Sequence, residues 1–438
     1  MLWAAINSGP WVFRAAPETM REWIHYVRTA FPLAVLLLAP LAAIAAAMAK
    51  PQPSAMIGSG PAARSRGAGL PGPLKLWLVY GIAATLASVL SPDPLGALYW
   101  GACYLAVFAA LAAFLRGGDR LERAVQLNYL TWAVTTGILA ILCVVARHVL
   151  YNAAEANMSS YGVMAGVGGS VGGMAMSRSS GMARFAAVPA VVACVLLWCD
   201  RAWWRRVVWA ALFAATCLLV YMMQSRGAIF SLAFALVVVG YVLGVRARLA
   251  GIALVILAAV AITAEIVPQE TTERVVDHVT RGESPKQLAT MTGRTRDWAE
   301  GWKHIERSPI IGHGFQADRW LCKVHIHNTY LYVLLAAGIV GLVPFVLGLG
   351  WAWLAAYRAL ADGLPARLGQ QVPYAQTVGI LAFFTLRSIP EVSGGLFSVD
   401  LMVMLPAIAY LGALEQGAGS RERGAGSRVV KIVDEPGR

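Results

Sequence analysis

The chain has 438 residues, 58% of them hydrophobic and only 13% charged, with a formal net charge of +13 at pH 7 and a mean hydropathy of +0.62. So apolar a composition excludes a single soluble core, and lipid must be the solvent for most of the chain. Its Lys and Arg are spread over short segments rather than gathered into a basic patch interleaved with base-stacking aromatics, which argues against nucleic-acid binding.

Residues 1–30 mix Trp11, Phe13, Trp23 and Ile24 with Arg14, Arg21 and Arg28, a pattern that suits an interfacial amphipathic helix better than a cleavable signal. Apolar stretches long enough for a span of about 20 residues follow at 31–49, 74–91, 95–115, 127–146, 182–199, 207–223, 227–244, 249–267, 328–357, 372–388 and 396–414. Their unbroken aliphatic runs do not alternate, so they are predicted to be helices rather than barrel strands. The expected fold is therefore all-α: a polytopic integral membrane protein with about 11–12 transmembrane helices and a large, partly helical loop.

Basic residues give the orientation. Lys50, Arg64, Arg66 and Lys75, then Arg116, Arg120 and Arg123, then Arg201, Arg205 and Arg206, then Arg246 and Arg248, then Arg358 and Arg367 recur at every second loop, with two spans between successive groups. These loops are expected on the cytoplasmic side, together with the tail 415–438. Loops 91–95, 147–181, 224–227, 268–327 and 388–395 are expected outside. An odd count of eleven places the amino terminus outside; a twelfth crossing before Leu74 would place it inside. The predicted organisation is an interfacial segment (1–30), helices interrupted by a glycine-rich loop (31–267, loop 147–181), a large outer loop (268–327), further helices (328–414) and the tail.

Cys103, Cys143, Cys194, Cys199 and Cys217 lie in or at the ends of spans and Cys322 in the outer loop. No spacing matches a zinc site, and a lone outward cysteine forms no intrachain disulfide.

The outer face carries the candidate chemistry. Loop 147–181 holds seven glycines from Gly162 to Gly181, which serve either as a flexible connector or to bring bare backbone N–H groups to a ligand. Arg178 and Arg184 flank the start of the next predicted helix, where an anion would meet guanidinium groups and the positive end of the helix dipole. The tight turn "MMQSRGAIF", residues 222–230, puts Arg226 at the membrane boundary on the side that positive charge avoids. It is either a snorkelling surface group or an anion ligand.

Loop 268–327 holds nine Lys or Arg against nine Asp or Glu counted from Glu265, and five of the seven histidines. Within it, Thr295 is expected to cap a helix ending at Pro309, with Trp298, Trp302 and Ile305 on one face. Arg294, just before it, can hold an anion or pair with Asp297 or Glu306. "HIHNTYL" then opens a span. His325 and His327 point together only on extended backbone, and no dense carboxylate cluster accompanies them to complete a metal site. His327, kept neutral by surrounding arginines, suits a general base facing an anionic leaving group. Glu391 is a rival base with Arg387 as its nearest ion-pair partner, and Asp400, inside the last span, requires a hydrogen-bonded partner.

His327 and Asn328, nine intervening residues, then Gly338 and Gly341 resemble the signature of the O-antigen ligase and polymerase family of bacterial membrane glycosyltransferases. "QSRGA" at 224–228 and "RSSGMARFAAVPA" at 178–190 resemble two further motifs of that family, and "TGRTRDW" followed by "SPIIGHGF" is similar to the segment that precedes its histidine. The resemblance covers about residues 75–415. It departs at Gly341, where ligases often have threonine, and in the third motif, which lacks an asparagine after its glycine.

The resemblance implies an inner-membrane, multi-pass enzyme with an active site on the periplasmic face. Such an enzyme moves glycan from an undecaprenyl diphosphate-linked O-antigen donor to a lipid A core oligosaccharide without metal or cofactor. By motif, Arg178 and Arg226 would bind diphosphate, joined by Arg184 and Arg294. His327 would activate the acceptor, supported by His325, Asn328, Glu391 and Arg387. A polymerase or a protein O-oligosaccharyltransferase would share the donor. A transporter of lipid-linked or anionic sugars is the reading from another class, but its ionisable groups belong near the midplane and its halves should repeat. Here the charges cluster on one face and no repeat is evident.

Overall fold

The computed structural model describes residues 30, 33–39, 41, 69–116, 119–145, 179–223, 225–245 and 294–433. Among them the secondary structure is helical with no strand, and seven helices are long and apolar enough to cross a membrane. The protein is an all-α polytopic membrane protein. Interfacial segment 1–30, spans 31–49 and 249–267, glycine-rich loop 147–181, loop residues 268–293 and the last residues of the tail lie wholly or largely outside the described residues.

The other nine expected spans fall on helices. In chain order these are α1 (Gly72–Ala87, extended by a 3-10 turn Ser88–Leu90), α2 (Pro94–Arg116), α3 (Arg120–Val145), α4 (Ser179–Cys199), α5 (Trp203–Met222) and α6 (Arg226–Val242). After the described part of the loop, with α7 (Arg294–Ile305) and the short α8 (Ala317–Leu321), come α9 (Thr329–Ala361), a turn of helix α10 (Leu364–Arg367), α11 (Gln371–Arg387) and α12 (Val399–Val433). The 17 residues of α6 and of α11 reach only about 25 Å at 1.5 Å per residue, short of a full crossing.

Packing pairs α4 with α5, α9 with α1, α11 with α6 and α12 with α3. Small residues let the backbones approach, as expected where lipid provides no hydrophobic drive between helices. A Cβ on Gly348 would meet Trp77 Cδ1 at 2.5 Å, and Trp77 stacks on Phe345 at 4.6 Å while its indole N–H donates to the Phe345 carbonyl at 3.0 Å. The part of α12 up to Leu414 is almost wholly buried. Helix α5 is the opposite case, with Trp203, Trp204, Val207, Val208 and Leu218 exposed, an apolar surface that suits lipid.

The span expected as one unit at 328–357 is divided. Gly338 has φ 57° and ψ −160°, a combination essentially restricted to glycine, and it breaks α9 into Thr329–Ala337 and a remainder that runs to Ala361. A break leaves N–H and C=O groups without their helical partners, and the loop 308–316 supplies replacements. Ile339 N donates to Pro309 O (2.9 Å) and Val340 N to Ile310 O (3.2 Å), while Leu335 O and Ala336 O accept from His313 N (2.9 Å) and Gly314 N (2.8 Å). A Cβ at Gly338 would lie 2.1 Å from Ile310 O, so the loop can lie against the helix only where no side chain stands.

Helix α7 also differs from its expected bounds. It starts at Arg294, which places Thr295 in the first turn rather than at the cap. It closes before Pro309 because Arg307 N and Ser308 N turn back to His304 O and Ile305 O at 3.1 Å each. Its buried face carries Gly301, His304 and Ile305 with Trp298 packed alongside, whereas Trp302 is 49% exposed and leaves the expected stripe.

Gly338→Ala must force a side chain into glycine-only backbone and against a carbonyl oxygen. A loss on the order of 1–3 kcal/mol from the backbone alone should appear as a lower thermal unfolding midpoint in detergent, and a midpoint equal to the parent's would count against the inserted-loop geometry.

Candidate active site

The chain from Lys323 to Asn328 is not helical, so His325 and His327 lie on one side of it, their ring centroids 4.6 Å apart at 75°. His327 has φ +28°, a backbone conformation that non-glycine residues seldom hold unless their neighbours impose it. Those neighbours are fixed. Asn328 caps α9, its side-chain oxygen accepting from Leu331 N at 3.0 Å while its amide donates to Ile389 O at 3.0 Å. Thr329 N donates to Ser388 O at 2.9 Å, and the Thr329 hydroxyl donates to Glu391 O (2.8 Å) and accepts from Ser393 N (2.8 Å). The start of α9 is thereby stitched to the loop that follows α11. That loop is tied in turn to α1 and α2, because Tyr80 donates to Gly395 O and Tyr104 to Gly394 O.

At the seam, His327 Nδ1 lies 3.0 Å from Glu391 Oε2. The other carboxylate oxygen accepts from Arg294 Nη2 at 3.0 Å, and Arg294 also donates to Pro390 O. Arg294 thus bridges α7 to the 390s loop and pairs with neither Asp297 nor Glu306. Burial pushes the Glu391 carboxyl upward. The His327 hydrogen bond and the positive charges of Arg387, His327 and Arg294 outweigh it and hold the group well below the usual carboxylate range. A carboxylate with so low a proton affinity is a poor general base but a good acceptor for an imidazole N–H. The His327 side chain is 26% exposed and that of Glu391 15%.

A second polar network lies deeper. Asp400 accepts from Arg184 Nη1 and from the Ser393 hydroxyl, both at 2.8 Å, and Arg387 Nε stands 3.7 Å away. Arg387 thus lies within ion-pair reach of Asp400 as well as acting on Glu391, and its peptide carbonyl accepts from Glu391 N at 3.0 Å. Asp400 has the partners that its place inside a span demands.

Arg226 is the first residue of α6, after Ser225, and the helix enters beside the same loop: a Cβ on Gly227 would sit 3.2 Å from Pro390 Cγ. Arg178 lies outside the described residues. The structure brings Arg226, Arg294, His327, Glu391 and Asn328 around one loop, and Arg184 and Arg387 onto Asp400 behind it. Cys322 is buried in a small cluster with Ile305, Ala317, Ile326 and Leu335, and burial, followed by the Asp318 carboxylate, pushes its thiol up to about 11, so it is no nucleophile. Among the described residues no group of three or more side chains of metal-ligating type is assembled.

Asp318, Thr329 and Ser393 take part in this framework although nothing in the sequence singles them out. Asp318 is one of eight acids in its loop, and only its contacts distinguish it. The sole advance signal was indirect: a buried seam between two distant loops needs short hydroxyl side chains to satisfy its backbone.

Residues 211–346 match the family model described as O-antigen ligase (Wzy_C). The matched stretch takes in Arg226, Arg294, His325, His327 and Asn328 and ends before Arg387 and Glu391. No curated protein matches the chain. Among solved structures, one chain from "Structural coordination of polymerization and crosslinking by a peptidoglycan synthase complex" is 17% identical, with a TM-score of 0.45 over 79% of this chain and 97% of that one.

Because the carboxyl of Glu391 is held below its ordinary range, its ionised form contributes stability that is complete above the unfolded value, about 4.3. That contribution is lost as the pH falls from there toward the folded value. The Glu391→Gln variant should melt below the parent by a constant gap from pH 8 to about pH 5, and the gap should narrow only in more acidic buffer. A gap that already closes between pH 8 and pH 6 would contradict an ionised Glu391 paired with His327 and Arg294.

Proposed function

We propose, for a chain whose residues 211–346 belong to the O-antigen ligase family, that this membrane glycosyltransferase transfers a glycan from undecaprenyl diphosphate to a lipid A core oligosaccharide on the periplasmic face of the inner membrane. The observation that carries the reading is the Arg294–Glu391–His327 chain, 3.0 Å at each link, beside the entry of Arg226 at the same loop.

The chemistry follows from those groups. A sugar hydroxyl of the acceptor attacks the anomeric carbon of the donor, its oxygen forming the new glycosidic bond as the bond to the diphosphate oxygen breaks. The electron pair leaves with undecaprenyl diphosphate, and the hydroxyl proton passes to His327 Nε2. Glu391 holds the opposite N–H and stabilises the imidazolium that forms. Direct displacement inverts the anomeric centre. Arg226, with Arg178 from the preceding motif, neutralises the charge that grows on the leaving diphosphate through planar, paired N–H donors. Arg294 and Arg184 face the same region from their carboxylates, holding Glu391 and Asp400 in place. Cations fixed in the protein take over the charge neutralisation that a divalent ion would supply, so the reaction needs none.

Three outcomes test this. His327→Ala should lower turnover by about 10²–10⁴-fold, the range for loss of a general base, with unchanged protein level in membranes. Arg226→Lys keeps the charge but not the paired donors, and should fall by about 10²–10³-fold, the scale of one lost transition-state donor; wild-type turnover would reduce Arg226 to a topology signal. Purified enzyme should retain activity in excess chelator, and activity lost there and restored by magnesium or manganese would overturn the charge argument. Incubating lipid-linked O-antigen with lipid A core in one reaction and alone in another separates ligation from polymerisation by product.

A further inference from the structure

Beside the His327–Glu391 pair stands a second imidazole–carboxylate pair that the reaction above does not use. His325 Nδ1 lies 2.6 Å from Asp318 Oδ2, and Asp318 is 0% exposed. The same oxygen accepts from Ile326 N at 3.3 Å, and Oδ1 accepts from Arg319 N at 3.0 Å. A fully enclosed carboxylate is costly unless it is paired and hydrogen-bonded, and this one spends those bonds on the two residues immediately before His327.

The geometry brackets His327. On its carboxyl side, Asn328 and Thr329 are bonded to 388–393. On its amino side, Ile326 is wholly buried in the small cluster against α7, where a Cβ on Gly301 would meet Ile326 Cδ1 at 2.6 Å. The His327 ring has Glu391 on one nitrogen and the His325 ring at 4.6 Å, edge to face. The His325 ring holds that attitude with its own Nδ1 tied to Asp318. A residue at φ +28° stays there only because its surroundings over-determine it.

We propose that Asp318 and His325 form a positioning pair that fixes the backbone and ring of His327, so that its Nε2 meets the acceptor hydroxyl in reactive alignment. The proposal rests on the reading of His327 as acceptor base. Its loss misplaces the base without removing a donor contact, and misplacement by about 1 Å costs up to about 10²-fold in rate.

Asp318→Asn and His325→Phe test it from two directions. The first keeps the shape but not the anion; the second keeps a ring against His327 but cannot bond Asp318. In each, kcat should fall about 10- to 100-fold with the KM for the lipid-linked donor unchanged. The rate at which diethyl pyrocarbonate modifies His327, followed by peptide mass spectrometry without substrate, should change several-fold. If Asp318→Asn does not accumulate in membranes, His325→Phe alone answers. Unaltered kcat, or a lowered kcat with His327 modified at the parental rate, overturns the proposal, since the effect would not pass through that ring. His327→Ala in parallel separates the two readings: parental turnover there sinks the base assignment, whereas His327 reactivity in the other variants still reports on the pair.

Discussion

Glu391 must remain ionised although protein surrounds most of it, and this requirement organises the end of the molecule at which α9 begins. An anion taken from water has to be given positive partners and hydrogen-bond donors. Here they come from three places: Arg294 from the start of α7, His327 from the mouth of α9, and Arg387 from the end of α11. Satisfying one carboxylate therefore pulls together the large loop, the span that follows it and the turn between the last two spans. Their meeting point is where the His327 imidazole is held against a carboxylate through Nδ1.

Gly338 has a different physical task. Gly338 is where α9 gives up its own hydrogen bonds and accepts those of the 308–316 loop. Interrupted helices are tolerated at membrane depth only where protein re-satisfies the freed groups, and the "SPIIGHGF" segment does so with its main chain. The spacing between His327 and Gly338 thus sets a helical spacer of nine residues, Thr329–Ala337, between the imidazole and the point at which the loop is anchored. The 308–316 loop and α9 are thus tied together by main-chain hydrogen bonds.

Around this seam, polar partnerships extend inward. Arg184, Arg387 and Ser393 converge on Asp400, so two basic residues at the ends of α4 and α11 are held by one acid of α12. Such a buried cluster costs energy relative to an apolar core, and its benefit lies in specifying a single arrangement of helices that apolar surfaces alone would leave free to slide. The lipid-facing side of α5 has no comparable device, consistent with a helix whose surroundings are acyl chains.

The sequence by itself determined the helical membrane architecture, because twenty apolar residues in a row leave no other way to satisfy their backbone in lipid, and that information is local. It also singled out His327, which stands at the mouth of a span and opens a motif running through Asn328 to Gly338 and Gly341. Only the tertiary structure decided that Glu391 is hydrogen-bonded to both His327 and Arg294, that Arg184 belongs to Asp400, that α9 is broken at Gly338, and that Trp302 faces outward. Arg294 and Glu391 are 97 positions apart, and Arg184 and Asp400 are 216 apart. Charges of either sign are abundant in the loop, and nothing local ranks one pairing above another. Asp318, only seven positions from His325, was equally invisible, because what distinguishes it is complete burial, a property of the packed chain and not of its neighbours in sequence.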